Sequence, residues 1–122
     1  MPLRRIKPID GIASVKAVLA DSSKRINNDD DFKRAVRYLL EELSFLRPGK
    51  SVEVRVPPLG AVQCIEGLIH KRGTPPNTVE LNAQDWFALA VGENSWSDLT
   101  SSGRLFQSGT RADISDVFPI WR

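Results

Sequence analysis

The chain has 122 residues, 41% hydrophobic and 26% charged, with a formal net charge of +2. This is the balance of one soluble globular domain. Two separate cores would be too small, and a disordered chain would lack the apolar surface present here. No apolar run nears the ~18–20 residues that cross a bilayer, and the start, Met1-Pro2-Leu3-Arg4-Arg5, has no apolar stretch behind its basic residues. The reading is therefore a single cytoplasmic domain over residues 1–122, with no secretory signal and no stable membrane insertion.

Counting residue types removes much chemistry. One cysteine, Cys64, excludes an intrachain disulfide and a thiolate metal cluster. One histidine, His70, excludes a His–His metal pair and leaves Cys64 with His70 as the sole Cys–His combination. Residues 1–50 carry 11 Lys/Arg and 7 Asp/Glu, and residues 51–122 carry 6 and 8. The basic surplus sits beside the acidic run Asp29-Asp30-Asp31, which is weak support for nucleic-acid binding, so nucleic acid is not the expected partner.

In chain order, residues 1–9 read as an irregular arm with two prolines. Asp10 is placed to cap a helix to about Ala20, with Ile12, Val15, Val18 and Leu19 on one face. Residues 21–28 read as a connection. The clearest helix runs from Asp30 to Leu46: Phe32, Val36, Leu39, Leu40 and Leu43 form one stripe, while Lys33, Arg34, Arg37, Glu41 and Glu42 lie largely off it. The acidic run suits the helix N-terminus, and Pro48 ends the helix at Arg47.

From Ser51 the period becomes two. Val52, Val54 and Val56 alternate with Glu53 and Arg55 in a half-buried strand, and Ala61 to Gly67 can return antiparallel after Pro57-Pro58-Leu59-Gly60. Residues 68–77 read as irregular, and Thr78 to Leu81 as a short strand. Three segments then place a capping side chain three residues before an aspartate: Asn82 with Asp85, Ser95 with Asp98, and Thr110 with Asp113. The first two open helices stopped by Gly92 and Gly103. The third opens a terminal helix with Ile114, Val117 and Phe118, limited by Pro119. Between Gly103 and Gly109 lies a strand-length piece.

The segments 78–82, 84–92 and 96–109, followed by an apolar helix, resemble the sterol carrier protein domain. That family has a strand, a helix ending in Gly, a short helix, a Gly-basic-Leu strand ending in Gly, and a terminal helix. Glycines 92, 103 and 109 fall in place. Residues 52–67 and Arg72-Gly-Thr-Pro-Pro-Asn77 resemble the bacterial stand-alone branch of the same superfamily. The likeness covers about residues 30–122 and is strongest over 50–122. It implies an α+β two-layer fold, with a twisted, mostly antiparallel sheet of about five strands and helices packed on one face. It also implies an apolar cavity between sheet and helices that holds a fatty acyl or sterol-like ligand. The stretch before Thr78 is short and proline-bearing, and the terminal helix is brief, which limits the cavity's expected size.

Trp86, Phe87, Leu89, Phe106, Val117, Phe118 and Trp121 are the candidate lining, against the alternative that they are ordinary core. Arg55, Arg72 and Arg111 are candidate anchors for a carboxylate or phosphate head group. Arg55 has an alternative as the cross-strand partner of Glu66. His70 reads as a solvated residue of a basic loop and Cys64 as a small buried hydrophobe, so no catalytic or metal-binding residue and no cofactor is expected. The functional expectation is non-enzymatic binding or carriage of a lipid-like ligand. The alternative is an accessory or protein-interaction module with a filled core, for which a homodimer through the Pro-Pro-flanked hairpin edge or Trp121 would speak.

Overall fold

The longest apolar stripe of the sequence becomes the helix on which the other elements rest. The computed structural model describes residues 4–67 and 77–122. In it α1 spans Pro8–Ala20, α2 Ser23–Ile26 and α3 Asp30–Leu46. The bounds of α3 are those its periodicity predicts. The Asp29 carboxylate caps it by accepting the Asp31 N–H at 2.8 Å, and Phe32, Val36, Leu39, Leu40 and Leu43 are all buried. α1 starts three residues earlier than an Asp10 cap implies. Lys7 holds the cap position and Pro8 the first turn, where a missing N–H costs nothing. Residues 21–28, expected as a plain connection, include the single turn of α2.

The seat of α1 on α3 depends on one glycine. A Cβ at Gly11 would stand 2.2 Å from the Tyr38 ring, so only a hydrogen fits between the helix backbone and that face.

The strands are β1 (Val52–Val56), β2 (Gly60–Cys64), β3 (Asn77–Leu81) and β4 (Leu105–Ser108), in sheet order β2-β1-β3-β4. β1 pairs with β2 antiparallel and β3 with β4 antiparallel, but β1 pairs with β3 parallel. Among the described residues the sheet is therefore mixed and four-stranded, not mostly antiparallel with five. Twelve residues separate β2 from β3, enough chain to carry β3 past the hairpin and lay it parallel to β1. Residues 68–76 of that connection, expected to be irregular, lie outside the described residues.

The pleat sorts the side chains. Val52, Val54, Val56, Cys64, Val79, Leu81 and Leu105 are buried on the inner face, which shares one apolar cluster with α1, α3 and α4 (Ala83–Val91). Glu53, Arg55, Thr78, Glu80 and Phe106 alternate with them on the outer face and are partly or fully exposed.

Two of the three expected caps form. Asn82 accepts the Asp85 N–H at 2.8 Å to open α4, and Ser95 accepts the Asp98 N–H at 3.0 Å to open α5 (Trp96–Ser101). The third does not open an α-helix. The Asp113 carboxylate accepts the Ser115 N–H at 3.0 Å, and only a 3-10 turn, Ser115–Val117, follows. Pro119 disfavours helical geometry at Phe118, so too few residues remain for an α-turn to propagate. The tail instead docks on α4: the N–H groups of Ile120 and Trp121 both donate to the Ala90 carbonyl, at 2.9 and 3.0 Å.

Candidate functional site

A cleft of about 810 Å³ opens where α3 meets the β1–β2 hairpin. Its floor comes from both elements. Leu40 descends from the buried stripe of α3, and Val62 points inward from β2, one residue out of phase with exposed Ala61 and Gln63. Leu59 closes one end from the proline turn, and Ile6 adds a wall from the arm before α1. The far end is the loop after α3. Gly49 is needed there because a Cβ on it would lie 2.0 Å from the Ile65 carbonyl oxygen, at a φ of +150°. That close approach lets the Ile65 N–H donate to the Arg47 carbonyl at 2.7 Å and ties the loop to the end of β2.

The rim is polar and unevenly charged. Arg5, Arg37 and Lys50 face a single carboxylate, Glu41. Arg37 is pre-oriented: its Nε donates to the Leu59 carbonyl at 3.1 Å, which leaves the two terminal amino groups to point elsewhere. Glu41 is already engaged, since its two oxygens accept the backbone N–H groups of Arg5 and Ile6, each at 3.1 Å. The arrangement offers an apolar floor with positive charge at its edge that, among the described residues, has no ion-pair partner.

The residues singled out from sequence lie elsewhere. Trp86 and Leu89 are fully buried and Val117 nearly so. Trp86 meets Phe118 edge-on at 5.8 Å, Phe118 stacks on Trp96 at 5.9 Å, and the Trp86 indole N–H donates to the Val36 carbonyl at 3.2 Å. This is a packed aromatic core. Trp121 is half-buried on the docked tail, while Phe106 stands on the outer sheet face, 63% exposed.

Arg55 is also on the outer face. It stands opposite Ala61, not Glu66, and its Nε donates to Glu53 on its own strand, because Glu66 lies beyond the end of β2. Arg111 is exposed, with its backbone N–H donating to the buried Asn77 side chain at 2.9 Å. Arg72 and His70 lie outside the described residues. Of the nine described candidates none borders the cleft, and the structure brings Trp86, Phe87, Leu89, Val117 and Phe118 together as core.

The residues that do border it left a faint trace in the sequence. Leu40 lies in the α3 stripe, Arg37 and Glu41 lie largely off it, and Leu59 follows the proline pair. Their meeting depends on the hairpin folding back over α3, which no local pattern reports. Cys64 is as its alternation predicts: fully buried, with its thiol pushed up to about 12 by burial, hence neutral and unreactive.

The fold and the cleft define a class: a two-layer α+β domain with a ligand-sized recess where its main helix crosses the sheet edge. Within that class the family is shown. The model described as "Bacterial SCP ortholog" matches residues 28–120, and the chain belongs to that family of bacterial sterol carrier protein-like domains. No curated protein matches the chain. Among the described residues no helix is long and apolar enough to cross a membrane.

Proposed function

We propose that the protein is a non-enzymatic binder or carrier of an amphiphile with an apolar tail and an anionic head. The cleft beside α3 is its site. The observation that carries this reading is the pairing of an apolar floor (Leu40, Leu59, Val62, Ile6) with a rim of three cations and one already engaged carboxylate. The volume, about 810 Å³, suits a small ligand, for which pockets run from roughly 300 to 1,000 Å³. Burial of about ten methylenes contributes ~8 kcal/mol before the costs of association, which the head-group contact at the rim helps to offset without a catalytic group. Arg37, held by the Leu59 carbonyl, supplies the bidentate contact to a carboxylate or phosphate.

The test is titration of a fluorescent fatty acid, with Arg37→Met beside the wild type. The wild type should bind at tens of micromolar or better, and Arg37→Met should weaken a carboxylate about tenfold while leaving a fatty alcohol of equal length unchanged. Absence of binding to acids, alcohols and sterols at that concentration ends the proposal.

A second reading, a protein-interaction module, has one observation in its favour: the exposed Phe106 ring on the outer sheet face. It expects no amphiphile binding and a mixed-sequence partner lost on Phe106→Ser.

A further inference from the structure

Part of the cleft lining does not come from the family's matched region. The match begins at residue 28, whereas Arg5 and Ile6 border the cleft from upstream of α1. These residues are fastened to α3 by an array of contacts. Each Glu41 oxygen accepts one arm amide, from Arg5 and from Ile6, both at 3.1 Å. One helix position further on, the Arg4 guanidinium donates to Glu42 at 2.7 Å and lies 4.4 Å over the Phe45 ring and 5.6 Å from the Tyr38 ring. Tyr38 is the residue whose ring presses on Gly11, so the start of α1 and the arm before it are registered against the same face of α3.

A carboxylate that takes two successive backbone amides fixes the direction of the chain that carries them. The Ile6 side chain is thereby turned toward the core and the cleft, where it is half-buried. Arg5 is turned out to the rim. Ile6 is the apolar part that a ligand tail would meet.

We propose that Arg5 and Ile6 are part of the ligand site and that Glu41 is the positioning residue that sets them as its wall, so that the arm decides how long an apolar tail the cleft holds. This rests on the reading of the cleft as an amphiphile site. Glu41 does not contact the head group; it acts through Ile6 and Arg5.

The experiment measures dissociation constants for unlabelled saturated carboxylic acids of 8, 12 and 16 carbons. Each displaces a fluorescent fatty acid from the full chain carrying Glu41→Ala, Glu41→Gln or Ile6→Ala. Loss of the wall removes contacts that only a longer tail reaches. Glu41→Ala should weaken the 16-carbon acid about tenfold and the 8-carbon acid less than twofold, with Glu41→Gln, which keeps one acceptor, in between. Ile6→Ala should reproduce the length dependence with the Glu41 contacts intact, and it carries the test should Glu41→Ala fail to fold. Equal weakening at every length, or unchanged affinities in both Glu41→Ala and Ile6→Ala, overturns the proposal while leaving the site itself standing. A wild type that binds no acid at all brings down the amphiphile reading, and this proposal with it.

Discussion

Two regions of this molecule invite a lipid-binding interpretation, and they differ in kind. The aromatic core around Trp86, Phe87, Trp96 and Phe118 is apolar and closed: Trp86 and Trp96 each meet Phe118, and Phe87 meets Phe32, with ring centres 5.8–5.9 Å apart, and Trp86 spends its indole N–H on α3. The cleft beside α3 is apolar only on its floor, open on one side and rimmed with charge. Large aromatic residues at helical spacing fill space, whereas a recess is made by smaller residues at the place where two elements diverge. Density of apolar side chains therefore marks the core, and the meeting of an apolar floor with a charged rim marks the candidate site.

The sharpest way to break that comparison is to truncate the two regions separately. Trp86→Ala removes a fully buried side chain and leaves the Val36 carbonyl without its indole donor. It should cost ~3–5 kcal/mol of unfolding free energy, read as a fall in denaturation midpoint. If Trp86→Ala instead leaves stability intact and alters ligand affinity, the cluster is the site and the cleft is not. The complementary change is Val62→Trp, which adds bulk to a half-buried cleft residue with open space beside it. It should weaken fatty-acid binding at least tenfold, about 1.4 kcal/mol, while the melting temperature stays within ~5 °C of wild type. Unchanged binding in a folded Val62→Trp protein would remove the cleft as the site.

The same contrast explains what could be read from the sequence. α3, the β1–β2 hairpin and the caps of α4 and α5 were legible because each rests on local terms: a 3.6-residue stripe, a two-residue alternation, and Asn82 or Ser95 three residues before an aspartate. Where the determinant is tertiary, legibility stops. The parallel pairing of β1 with β3 depends on where the intervening chain lands, and no alternation distinguishes parallel from antiparallel neighbours. The third capping motif has the same local signature as the first two, but Pro119 leaves it no room. Arg37 reads as one more solvated charge on α3 until the proline turn brings the Leu59 carbonyl to its Nε from 22 positions away. Arg55 misled for the opposite reason: its pairing with Glu66 was a matter of register, and the strand ends at Cys64.

The smallest effect concerns a contact that belongs to neither region's chemistry but holds the closed one in place. Arg25 on α2 donates both terminal amino groups to Glu93 after α4, at 2.6 and 2.9 Å, and its guanidinium lies 4.5 Å from the centre of the Phe87 ring. The Arg25 hydrogen bonds hold the Glu93 carboxyl below the ordinary carboxylate range, although its burial pushes the other way. A carboxyl lowered in the folded state stabilises that state above its unfolded value and loses the contribution as pH falls through the folded one. Glu93→Gln should therefore be less stable than wild type at neutral pH, by no more than ~1 kcal/mol for a partly exposed pair. The two proteins should converge as the pH drops below the ordinary carboxylate range. Urea titrations of both proteins at pH 7 and at successively lower pH read this directly. A gap that persists at low pH would assign the contribution to the stacking of Arg25 on Phe87 rather than to the ion pair. Fatty-acid affinity should not move in either case, since Glu93 borders the filled cluster and not the cleft.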